Sequence, residues 1–244
     1  MKPPAAIASM LMACLGILAL AGFAKGSAPT TDERNIEGWV VKISAKLIEQ
    51  NSDQLEKAVL ILQAQLKEIV ATVPKAAVTE LRKVTLYVSP EYPSIPPRAE
   101  YHPDAGWLKK NGRSLGMAKG IEFTNVRIFE AEARRMPNFA LHELAHAYHD
   151  RVIGNDEPRI KACYEKAKRD GKYEKVQRRD DQGRLHMERA YAMTNHLEYF
   201  AECTEAFFST NDFFPYHKEE LQQHDPEMYA LLGLIWQISE AKKS

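Results

Sequence analysis

The sequence predicts an α+β domain in which a small sheet packs on a helix carrying two histidines and on a second helix carrying glutamates. Three observations lead there. Three short segments rich in β-forming residues lie before position 130. Four segments with helical spacing or helix-boundary signals follow position 136. The pentapeptide His142-Glu143-Leu144-Ala145-His146 stands at the head of that helical half.

The chain has 244 residues and begins with Lys2, an uncharged and mostly apolar run from Ala5 to Ala24, and then Lys25-Gly26-Ser27. This reads as an export signal over residues 1–24, cleaved after Ala24, where Gly22 and Ala24 are suitably small. A secreted or periplasmic location follows, with one domain expected over 25–244. Two alternatives would instead tie the chain to a membrane. The run is long enough to stay uncleaved as an anchor, and Leu11-Met12-Ala13-Cys14 resembles a lipid-attachment box, although the apolar residues after Cys14 argue against lipidation. Lys and Arg number 33, as do Asp and Glu, so the net charge is zero. No basic stripe alternates with aromatics, which excludes a nucleic-acid partner. Cys163 and Cys203 remain after signal removal; an oxidising compartment would allow them to pair, and two buried free thiols are the alternative.

Along the mature chain, Gly38 to Ile43 reads as a first strand, and residues 53–71 carry Leu, Ile and Val at helical spacing until Pro74 stops them. Val84 to Val88 reads as a second strand and Gly120 to Phe129 as a third. Between these two, residues 89–119 hold five prolines and three glycines, which argues against any long regular element. A loop of that length either lines a substrate cleft or is a mobile surface excursion. Pro137 suits the first position of the histidine helix. Asp156 and Pro158 open another helix that Gly171 closes, and the charged stretch 172–184 reads as a solvated connector. Asp225 and Pro226 start the last helix.

Four residues of α-helix turn the chain about 400° and raise it about 6 Å, so the imidazoles of His142 and His146 reach one ion. Glu143 lies off their stripe, where its carboxylate faces a metal-bound water rather than the metal. The pattern points to zinc and to hydrolysis. A catalytic zinc needs a third protein ligand and keeps a fourth position for water. A third histidine ten residues after the first is excluded, because position 152 is Val152. His149 lies about 10 Å along the helix axis from His142, too far to share an ion comfortably. The better candidate is Glu198, in the helical segment Tyr191 to Glu202; Glu202, four residues on, falls on the same face and is placed to accept a proton from a ligand histidine.

That segment reads Tyr191, then Thr194-Asn195, then Glu198-Tyr199-Phe200-Ala201-Glu202. With the histidine motif upstream, it resembles the gluzincin metallopeptidases, whose motif is completed by a glutamate on a later helix, and among them the anthrax lethal factor-like catalytic domain. The likeness covers roughly residues 120–210 and says little about the N-terminal strand and helix. It implies a zincin-like fold, zinc held by His142, His146 and Glu198, Glu143 as general base, Tyr191 as oxyanion stabiliser, and a peptide or protein substrate. Two other functions fit the same residues: a secreted zinc-containing binding protein that cuts nothing, and a hydrolase of a non-peptide amide. Only three protein ligands are foreseen, and a purely structural zinc site would close all four positions.

Overall fold

The computed structural model describes residues 31–241, with side chains as far as Trp236; the expected export segment 1–24, including Cys14, lies outside the described residues. The first pair of strands, β1 (Thr31–Ile36) and β2 (Trp39–Ser44), is an antiparallel hairpin. Its two-residue turn has positive φ at Glu37 and Gly38, the geometry whose twist matches the strands it joins. A side chain at position 38 would also run into the Arg82 guanidinium. In β2 the residues alternate, and Trp39, Val41 and Ile43 are buried.

The long helix α1 (Ala45–Thr72) kinks at Asn51 and buries Leu55, Ala58, Leu62, Leu66 and Ile69, one stripe at helical spacing. It starts eight residues earlier than its apolar periodicity. After α2 (Lys75–Leu81) comes β3 (Leu86–Val88), and the proline-rich excursion contains only β4 (Ala99–Tyr101) and α3 (Ala105–Lys110) before β5 (Ile121–Phe123). The sheet runs β1-β2-β3-β5-β4, with β2, β3 and β5 parallel and the two outer strands antiparallel. The fold is therefore α+β, and β4 is an edge strand of the sheet.

The third strand is much shorter than the 120–129 run of β-formers. Only residues 121–123 find a partner, because β3 itself is three residues long. Beyond them the chain makes a 3-10 turn (Val126–Ile128) and α4 (Phe129–Arg135), which turns Phe129 into the core against Phe139 at a 4.8 Å ring separation. Next comes α5 (Phe139–Tyr148), capped by the Asn138 side chain on Leu141 N at 3.0 Å, so Pro137 precedes the helix rather than opening it. A π turn (His149–Ile153) extends α5, and α6 (Pro158–Arg169) follows.

The charged stretch expected to be a solvated connector contains β6 (Val176–Arg179), which pairs with β7 (Leu185–Glu188). Its composition hides a hairpin because almost nothing in it is buried; Val176 is the one buried residue of the two strands. Two backbone bonds, Arg179 N to Asp212 O at 2.8 Å and Phe214 N to Gln177 O at 2.8 Å, lay it along the chain. A 3-10 turn (Tyr191–Met193) leads into α7 (His196–Phe208), then α8 (Lys218–His224) and α9 (Pro226–Ala241). Tyr148 of α5, Phe200 of α7 and Trp236 of α9 stack in one column, which locks the three helices together. Cys163 and Cys203 are free thiols, the latter buried. Among the described residues no helix is long and apolar enough to cross a membrane.

Candidate metal centre and cleft

Each helix that carries the site is anchored where the site begins. Asn138 caps α5 and at the same time donates to Gln65 O (3.1 Å) and Glu68 Oε2 (3.0 Å) of α1. Asn195 caps α7, its side-chain oxygen accepting from Leu197 N (2.8 Å) and Glu198 N (3.0 Å). Asn195 is thus the start signal of that helix, and it puts Glu198 in the first turn, where the helix dipole favours a carboxylate. Tyr199 ties the other side of α7 down, donating to the buried Asp225 at 2.6 Å.

The three expected ligands meet. His142 Nε2, His146 Nε2 and Glu198 Oε2 form a triangle with all three sides 3.1 Å. Two ligands of a tetrahedral ion with bonds of about 2.0–2.1 Å stand about 3.3 Å apart, so the triangle fits zinc. The donor set, two imidazoles and a carboxylate, fits it as well. Within this cluster, burial pulls the His142 imidazolium down, but hydrogen bonds to Glu198 and Glu205 outweigh it and hold its pKa well above the ordinary value. Burial likewise pushes Glu198 up, and the two histidines more than reverse that.

Glu143 stands outside the triangle. Its Oε2 accepts from the backbone N–H of Tyr101 on β4 at 2.7 Å, which leaves the other oxygen toward the cleft. Tyr191 was expected on the helical face of Glu198. It sits instead on the 3-10 turn before the Asn195 cap, and still faces the site, half-exposed, its ring centroid 6.4 Å from that of His142. Burial raises its hydroxyl pKa, with Glu198 adding to the effect.

Glu202, expected beside a ligand histidine, is buried with its Oε1 3.8 Å from His142 Nδ1. The residue that reaches that nitrogen is Glu205, at 2.6 Å. The sequence held a signal for it: positions 198, 202 and 205 share one stripe of a helix. Burial raises Glu202 well above a normal carboxyl and Glu205 to about 7, with His142 holding the latter down. His149 lies under the site at 0 % exposure with neither ring nitrogen bonded, and burial, reinforced by His196 and His146, lowers its pKa to about 4.

Two cavities, of about 530 and about 290 Å³, flank the triangle and share Arg98, Ala99, His142, Glu143 and Tyr191, so they make one trough past it. One wall is β4 with the proline-rich segment before it; the other is formed by Arg178 and Glu188 of the hairpin with Asp212 and Phe213. Within the 89–119 excursion, the part from Pro96 to Pro103 lines the trough.

No curated protein and no solved structure matches this chain. Residues 116–234, just under half of it, match the family model described as anthrax toxin lethal factor, N- and C-terminal domain, a family related to zinc metalloproteases. The stretch from 116 to 234 is thus similar to the anthrax lethal factor domains, and the triangle, Glu143 and Tyr191 all fall inside the matched residues.

Proposed function

We propose that the protein is an exported zinc metallopeptidase of the zincin-like, glutamate-completed type, with residues 1–24 as its export signal. The observation that carries this is the convergence of His142, His146 and Glu198 at 3.1 Å beside an open trough. Zinc bound there would supply a water acidified to a pKa of about 7 and polarise a substrate carbonyl. Glu143 is the general base. The Tyr101 N–H holds one of its oxygens, so the carboxylate enters the reaction already oriented, and its free oxygen takes the proton and passes it to the leaving amine. Tyr191, at the wall of both cavities, directs its hydroxyl to the developing oxyanion. The trough continues on both sides of the triangle, which supports an extended peptide as the substrate.

Glu143→Gln tests this reading. The variant is expected to keep its zinc and to lose about 10²-fold or more in turnover of an unfolded protein substrate. Undiminished hydrolysis would remove Glu143 from the chemistry.

A further inference from the structure

We infer that Glu205 positions His142 for the metal, in the place where helical spacing from Glu198 pointed to Glu202. This rests on the metallopeptidase reading and deepens it. The His142 ring is gripped at both edges by α7: Glu198 Oε2 is 3.1 Å from Nε2, and Glu205 Oε1 is 2.6 Å from Nδ1. Glu202 lies between them in sequence yet falls short, since 3.8 Å is beyond a hydrogen bond. Its Oε2 is also engaged elsewhere, accepting from Asn211 Nδ2 at 3.2 Å. The other Glu205 oxygen has no hydrogen-bond partner, so His142 is the group this fully buried carboxylate serves.

The consequence is a fixed tautomer. In the neutral imidazole that a metal requires, Glu205 accepting the Nδ1 proton leaves the lone pair on Nε2, at the point shared with His146 and Glu198. A carboxylate in that place also makes the imidazole a stronger donor to a metal and stops its ring from rotating. Both carboxylates come from one helix, so α7 sets a ligand and the orientation of a ligand on the facing helix together.

Zinc affinity measured by chelator competition separates the two glutamates. Glu205→Ala is expected to weaken zinc by about 10- to 100-fold, Glu205→Gln, which keeps an acceptor, to recover most of that, and Glu202→Ala to stay within about threefold of wild type. Imidazole ¹⁵N spectra of the zinc-loaded wild type, which need no variant to fold, are expected to show His142 protonated at Nδ1. The inference is overturned if Glu205→Ala binds zinc as wild type does, if Glu202→Ala loses as much as Glu205→Ala, or if His142 carries no proton on Nδ1. A wild-type protein that binds no zinc overturns the metallopeptidase reading and this inference with it; a wild type that binds zinc beside an unaffected Glu205→Ala overturns this inference alone.

Discussion

The two walls of the cleft are each built around one buried carboxylate with arginine partners, and they differ in how far those partners reach toward solvent. On the β4 side, Glu122 is fully buried and gathers Arg113 (2.7 Å), Tyr92 (2.8 Å) and His102 (3.1 Å). Arg113 also pairs with Glu100 of β4 at 3.0 Å, and its guanidinium lies over the rings of Tyr92 and Trp107. On the hairpin side, Asp212 is as deeply buried, but its partners Arg135 (2.6 Å) and Arg178 (3.0 Å) have side chains 19 and 30 % exposed. Water can replace what is lost at the second wall and not at the first. The rigid wall is the one whose backbone holds Glu143, and the yielding wall is the one that faces it across the trough.

Glu122→Ala attacks the rigid wall and should have the largest effect. Arg113 is left buried with Glu100 alone, which should cost about 3 to 4 kcal/mol in denaturant unfolding, with lost turnover as β4 releases Glu143. Burial pushes the Glu122 pKa up, but its bonds from His102, Ser89, Tyr92 and Arg113 outweigh that and hold it low, so the stability this carboxylate contributes is full above the normal carboxylate range and is lost as pH falls from there toward its lowered pKa.

Acid should act first at the buried His149, which packs against His196 and Phe200. His149 is held neutral, with a pKa lowered from 6.5 to about 4, so the unfolded chain takes up the proton first. Stability from this residue is complete above pH 6.5 and is lost as pH falls to about 4, a change of about 3 kcal/mol. Unfolding curves across that range check the slope; a flat profile would mean that His149 is not held neutral.

Asp212→Asn should be milder, costing about 1 to 2 kcal/mol because both arginines can turn to water. Its mark should be kinetic, with KM raised more than kcat is lowered. A fall in kcat as large as that of Glu122→Ala would show that the hairpin wall is as rigid as the β4 wall.

The sequence reveals the half that carries the candidate metal ligands better than either wall, for a physical reason. Ligands on a helix are related by its fixed geometry, so the pair His142 and His146 and the stripe from Glu198 can be read from spacing. The walls depend on pairing between distant segments. β1 is polar and shows itself only in the two-residue Glu37-Gly38 turn; β6 and β7 bury almost nothing; and the strand over 120–129 stops where its partner does. Tyr191 falls outside α7 because the Asn195 cap starts that helix at His196, so the seven-residue spacing from Tyr191 to Glu198 is not helical. Glu205 lay in plain view on the stripe, but which of two glutamates reaches Nδ1 is a matter of how α5 and α7 pack.

Metal analysis of the purified protein, set beside Glu198→Ala, tests the three-ligand centre most directly. About one zinc per chain is expected in the wild type, with little retained in the variant after dialysis. A wild type without zinc, or a Glu198→Ala protein that holds zinc as tightly as wild type, would contradict the centre on which the cleft, the base and the proposed chemistry all depend.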